Sequence, residues 1–157
     1  MFYTGVRIGE LVNIKHSDWE NNSFKVLGKG NKIRYIFVPD FFVGQLSLNS
    51  SNNYLFTTIK GKGLDTCSIE KFITRRTKLA GIKKAITPHT FRRSFATFFN
   101  SRKVKLTTIQ KLLGHNKLET TANYIHNSHE ELYADYSKAW KDEEQIIKEK
   151  KFKNYAI

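Results

Sequence analysis

At 157 residues, 39% of them hydrophobic and 13% aromatic, the chain suits one folded domain with an ordinary core rather than a disordered tail. Twenty-seven Lys and Arg against 14 Asp and Glu leave a net charge of +13, which calls for a polyanionic partner, because neutralising phosphates releases condensed counterions. No apolar run is long enough to span a bilayer, the first residues run into a polar motif rather than a signal peptide, and the single Cys67 excludes an intrachain disulfide, which fits a reducing cytosol.

In chain order, residues 6–15 carry Val6, Ile8, Leu11, Val12 and Ile14 at a mostly helical spacing, with Glu10 toward the polar side. Residues 24–27 and 33–38 read as strands, joined by Gly28-Lys29-Gly30-Asn31-Lys32, a turn whose glycines and asparagine tolerate positive φ. This predicts a β-hairpin with Lys29 and Lys32 near its tip. Pro39 ends the second strand, Asp40 caps a short helix to about Leu48, and Tyr54-Leu55-Phe56 is a short third strand after a polar loop. A basic helix follows over 65–80, with Ile69, Phe72, Ile73 and Leu79 as its apolar side and Gly81 as its terminator.

Thr87 and Pro88 open the next helix as N-cap and first helical residue. Phe91, Phe95 and Phe98 form its buried stripe, and His89, Arg92 and Ala96 share the flank. Leu106, Ile109, Leu112 and Leu113 make a short helix stopped by Gly114. A helix from about Glu119 carries Tyr124, and Ser128-His129-Glu130-Glu131 is a capping box opening the last helix, striped by Leu132, Tyr136, Ala139, Trp140 and Ile147. The expected organisation is one domain over 1–150 and a frayed tail over 151–157.

Two groups of motifs carry chemistry. Thr4-Gly5-Val6-Arg7-Ile8-Gly9-Glu10-Leu11 supplies one arginine, and Thr87-Pro88-His89-Thr90-Phe91-Arg92-Arg93 supplies a second beside a histidine. Lys111-Leu112-Leu113-Gly114-His115-Asn116 and Glu119-Thr120-Thr121-Ala122-Asn123-Tyr124-Ile125-His126 follow. A tyrosine hydroxyl, with a pKa of about 10, is a weak nucleophile alone, and cations around it change that. Planar guanidinium groups suit negative charge spreading over phosphoryl oxygens, and histidines titrate near neutrality. His89, His115, His126 and His129 show no compact metal-ligand pattern, so no metal and no cofactor are expected.

From Thr4 to about His126 these motifs resemble the catalytic signature of the tyrosine recombinases, the phage integrase family. The resemblance implies an α+β, mainly helical fold with a small antiparallel sheet and hairpin. It implies a site-specific recombinase that cleaves and rejoins DNA through a 3′-phosphotyrosine. Tyr124 would be the nucleophile, with Tyr133 and Tyr136 next in line; Arg7, Arg92 and His115 would contact the phosphate. His89 would move or orient a proton near Tyr124, and Lys29, rather than its neighbour Lys32, would protonate the departing 5′-oxygen. Glu10 would support Arg7. Lys32, Arg75, Arg76, Arg93 and Lys103 are assigned to the DNA backbone.

The resemblance further implies double-stranded DNA as partner, with a monomer when free and a tetramer on paired sites, in the prokaryotic cytoplasm on the nucleoid. Relatives usually carry an amino-terminal DNA-clamping domain and a helix before the first motif, which this reading takes as absent from residues 1–157. Related chemistry belongs to the type IB topoisomerases, but the compact Leu-Gly-His to Tyr spacing favours a recombinase. A DNA-binding remnant without activity is the alternative from another class. A generic basic RNA-binding domain has no supporting motif here. The Trp140 stripe has two readings: docking on a neighbouring protomer, or folding back on its own domain.

Overall fold

A computed structural model describes residues 1–28, 33–46, 53–114 and 128–154, with side chains as far as Ile147. The elements are α1 (Ile8–Leu11), a 3-10 turn (His16–Asp18), β1 (Trp19–Glu20), β2 (Ser23–Leu27), β3 (Ile33–Phe37), α2 (Asp40–Val43), α3 (Thr66–Leu79), α4 (Pro88–Ser101), α5 (Leu106–Leu113) and α6 (His129–Asn154). The architecture is α+β with helices dominating and a three-stranded antiparallel sheet of order β1-β2-β3, as expected.

The sheet separates two apolar clusters. Strand alternation puts Phe24, Val26 and Ile36 on one face, where they pack with Val6, Ile14 and Val38. Phe37, on the other face, joins Phe95, Phe99, Ile109, Leu112, Leu113, Tyr136 and Trp140 from α4, α5 and α6. The third strand is not the one expected. Tyr54 forms only an isolated bridge to Lys15, while Trp19–Glu20 pairs with β2. Asn21 and Asn22 join these two strands with φ of 45° and 56°, values that a two-residue hairpin turn requires and that asparagine tolerates.

Several expected boundaries shift for identifiable reasons. The helix expected over 6–15 shrinks to one turn, because its outer residues are used in extended chain: Ile14 accepts a hydrogen bond from Leu55 N–H at 2.9 Å. Pro39, rather than Asp40, occupies the cap position of α2, and the Asp40 carboxylate accepts instead from Tyr133 and Asn22. Residues 47 and 48 of that expected helix lie outside the described residues, as does the helix expected from Glu119. In α3 only Ile73 is buried; Phe72 and Leu79 stand 57% and 70% exposed, so the expected apolar side is mostly unpacked within this chain.

The helices around the site obey their local signals. Thr87 caps α4 by accepting from Thr90 N–H, with Pro88 at the first position. The buried stripe of α4 is Phe95 and Phe99, stacked at 4.3 Å, rather than Phe91, Phe95 and Phe98. Phe98 lies at the edge of the cluster against Trp140. Ser128 and Glu131 exchange reciprocal hydrogen bonds at 3.1 and 3.2 Å, which opens α6 as expected. Trp140 is only 3% exposed, so its stripe folds back on this domain and is not available for a neighbouring protomer.

Candidate functional site

The site grows from the end of α5. A helix leaves its last carbonyls without intrahelical partners and carries partial negative charge there. Here three successive carbonyls each accept from an arginine. Arg34 Nη1 donates to Leu112 O at 2.5 Å, Arg92 Nη2 to Leu113 O, and Arg7 Nη2 to Gly114 O at 2.6 Å. Arg92 also donates through Nη1 to Gly5 O at 2.5 Å. These arginines come from β3, α4 and the cap of α1.

Glycine is required where these groups meet. Gly114 ends α5 in the left-handed region, with φ 62° and ψ 49°. A Cβ added there would come within 2.7 Å of Arg34 Cδ. Gly5, at φ 60°, would meet Phe95 at 2.8 Å in the same way. Both glycines thus bring backbone oxygens close enough to bind guanidinium groups. The Gly-stop read in the sequence as a helix terminator is also a packing requirement of the arginine cluster.

Glu10 is the carboxylate among them. Its Oε2 accepts from the Arg7 backbone N–H at 2.9 Å, and its Oε1 from Arg7 Nη1 at 2.8 Å. Arg34 adds a two-pronged pair, Nε to Oε1 at 3.1 Å and Nη2 to Oε2 at 2.6 Å. Burial pushes the Glu10 carboxyl up, but the Arg34 hydrogen bonds and charge, with the Arg7 bonds, outweigh it and bring the pKa down to about 2. Burial, and then the charges of Arg7 and Arg34, lower Arg92 to about 10, with Glu10 working against them. Arg92 therefore remains cationic at neutral pH in a place that an added anion would improve.

An open cleft of about 840 Å³ adjoins these groups, lined among others by Arg7, Glu10, Lys25, Gly28, His89 and Arg92. Arg7, Glu10, His89 and Arg92 are thus brought to one cleft, although they are spread over more than 80 residues of sequence. His89 is exposed on the first turn of α4, near the positive end of the helix. Leu27, Gly28 and Ile33, which flank the predicted lysine-bearing turn, line the same cleft. Lys29, Lys32, His115 and Tyr124 lie outside the described residues.

The remaining basic residues are more dispersed. Arg75 lines a shallow groove on α3 with Lys71 and Lys78, and Arg76 lies over the Phe72 ring at 5.3 Å. Arg93 lines a second groove with Lys84 and Thr97, and Lys103 is exposed at a φ of 58°. The two fallback tyrosines serve structure. Tyr136 is 1% exposed and donates to Tyr3 O at 2.8 Å, and burial raises its hydroxyl well above the ordinary value. Burial and a hydrogen bond to Asp40 also raise Tyr133.

Arg34 is the site residue that sequence reasoning missed. Its signal was present: in β3 it alternates with Ile36 and pairs across the sheet with Val26, both inward-facing. An arginine at an inward strand position needs a partner, and Glu10 is that partner.

Known proteins are similar to this chain in sequence and in fold. The sequence model of the phage integrase family matches residues 1–131. The tyrosine recombinase XerC of Staphylococcus saprophyticus is 34% identical over 150 residues, spanning 88% of this chain and 51% of that protein. A crystal structure of XerA recombinase superposes with a TM-score of 0.63 at 35% identity, over 87% of this chain and 54% of that one. The XerH site-specific recombinase bound to its difH substrate, a pre-cleavage complex, gives 0.61 at 28% identity, over 73% and 37%. The chain spans about half the length of the curated relatives it matches.

Proposed function

This chain belongs to the phage integrase family of tyrosine recombinases, and from that premise we propose that it breaks and rejoins duplex DNA at a specific site through a covalent phosphotyrosine on Tyr124. The observation that carries the proposal is the cleft that Arg7 and Arg92 line together, with the Glu10 carboxylate shared between Arg7 and Arg34. Among the described residues Arg7 and Arg34 bond the Glu10 carboxylate while Arg92 feels the charges of all three, so this arginine cluster keeps a surplus of positive charge. Arg7 and Arg92 each have five N–H donors and spend only some of them on carbonyls and Glu10. The rest suit the non-bridging oxygens of a phosphodiester.

In this reading the Tyr124 oxygen attacks phosphorus, and the bond to the 5′-oxygen breaks. Arg7, Arg92 and His115 stabilise the charge that develops on phosphorus oxygens. Lys29 passes a proton to the leaving 5′-oxygen, and His89 moves or orients the proton of Tyr124. The phosphodiester energy is kept in the tyrosyl link, so attack by another 5′-hydroxyl reseals the strand with no nucleotide or metal. The substrate is double-stranded DNA, and strand exchange would take place in a tetramer on paired sites, with the protein on the nucleoid of a prokaryotic cell.

The test is covalent capture. Nicked duplexes with a randomised core are incubated with the parent chain, and denaturant-resistant protein–DNA adducts are recovered and sequenced. The parent is expected to yield adducts enriched in one sequence, and Tyr124→Phe, which removes one oxygen and keeps the ring, none. An undiminished adduct in the variant would overturn Tyr124 as nucleophile. No adduct from the parent would overturn the proposed activity of this chain.

A further inference from the structure

Arg34 carries no role in the reaction just described, yet it touches the parts that hold both phosphate-facing arginines. Its side chain is 9% exposed, as is that of Glu10, and among the described residues it makes three bonds: two to the Glu10 carboxylate and one to the Leu112 carbonyl. An arginine so enclosed keeps its place only through such bonds, and its planar fork fits a carboxylate in a way that a lysine ammonium does not. Arg34 therefore joins β3, α1 and the end of α5.

Two consequences follow from those contacts. The first is geometric. The Arg34 stem packs against Gly114, where no Cβ would fit, and its Nη1 holds the carbonyl two residues before. The next two carbonyls are those that orient Arg92 and Arg7. The second is electrostatic. Glu10 Oε1 is shared between Arg7 Nη1 and Arg34 Nε. Were Arg34 absent, Glu10 would pair with Arg7 alone and cancel charge that the phosphate needs.

We propose that Arg34 is a positioning residue for the reaction: it holds Glu10 and the end of α5 so that Arg7 and Arg92 face the scissile phosphate in fixed geometry with their charge unquenched. The inference rests on the recombinase reading above. It predicts a defect confined to charge stabilisation at phosphorus, which a merely structural residue would not produce. A methylphosphonate at the scissile position supplies the contrast, because a methyl group replaces one non-bridging oxygen and removes the negative charge that the arginines meet.

The experiment uses the duplex recovered by covalent capture and its methylphosphonate twin, with Arg34→Met and Arg34→Lys beside the parent. Single-turnover adduct formation is measured at saturating DNA, with duplex affinity and thermal midpoint measured in parallel. On the phosphodiester, Arg34→Met is expected to slow cleavage about 100-fold, the scale of losing one well-placed donor to the transition state. On the methylphosphonate the deficit should shrink to under about tenfold, while duplex affinity changes little, because the charge to be stabilised is smaller. Arg34→Lys keeps a cation but not the fork, and guards against failure of the methionine variant to fold. Its loss should be smaller, with the same dependence on substrate.

Equal losses on the two substrates, or no loss on either, would overturn the role of Arg34 while leaving the recombinase reading intact. Absence of any adduct from the parent on either substrate would overturn both.

Discussion

At Glu10 two effects oppose each other. Burial favours the neutral acid, and the Arg34 and Arg7 contacts favour the carboxylate strongly enough to bring its pKa from 4.5 to about 2. A carboxyl lower in the folded than in the unfolded chain contributes stability that is fully present above the unfolded value. That contribution is lost as pH falls from about 4.5 through about 2. It is on the order of 3 kcal/mol at neutral pH, with most of it gone at pH 3. Urea unfolding at pH 7 and pH 3 checks this: the parent should lose roughly 2 kcal/mol more than Glu10→Gln between the two conditions. Equal losses would show that the carboxylate is not what the arginines hold in place.

Among the elements, α4 presents the site and anchors it to the core. Its first turns carry His89 and Arg92, and one and two turns beyond Arg92 the same face carries Phe95 and Phe99, both 0% exposed. Phe99 touches Phe98, Tyr136 and Trp140 as well as Phe95. Phe99→Ala should cost about 3–5 kcal/mol, the lost transfer energy of the ring plus the cavity left behind. Phe72→Ala on α3, at 57% exposure, removes a ring already largely in water and should cost less than about 1 kcal/mol. Denaturant midpoints of the two variants test which phenylalanines the core uses. Comparable losses would contradict the packing of α4 described here.

For the whole molecule the dominant fact is the charge of +13, set against a cleft and two grooves lined by basic side chains. Binding to duplex should therefore weaken steeply with salt, with log affinity linear in log salt. Replacing Arg93 by Ala is expected to reduce that slope by about 1 and to weaken binding to unrelated sequences alike, as loss of one phosphate contact does. Fluorescence anisotropy at several salt concentrations measures it. A slope unchanged by the substitution would place Arg93 away from the DNA backbone.

Much of this protein was legible in the order of its residues, and the reason is range. The caps at Thr87 and Ser128 and the stop at Gly114 use residues within a few positions of one another, so spacing alone announces them. Arg7, Glu10, His89 and Arg92 were readable as a set because their motifs are local, and the structure brings these four to one cleft. Tertiary structure decided the rest. Trp19–Glu20 displaced Tyr54–Phe56 as the third strand because pairing depends on which segment the Asn21–Asn22 turn returns to the sheet. Phe99 displaced Phe91 from the buried stripe because α5 and α6, not the periodicity of α4, determine which side is covered. The role of Arg34 emerged only in three dimensions. An inward arginine on a strand is costly by itself, and only the folded chain brings Glu10 and the open carbonyls of α5 within its reach.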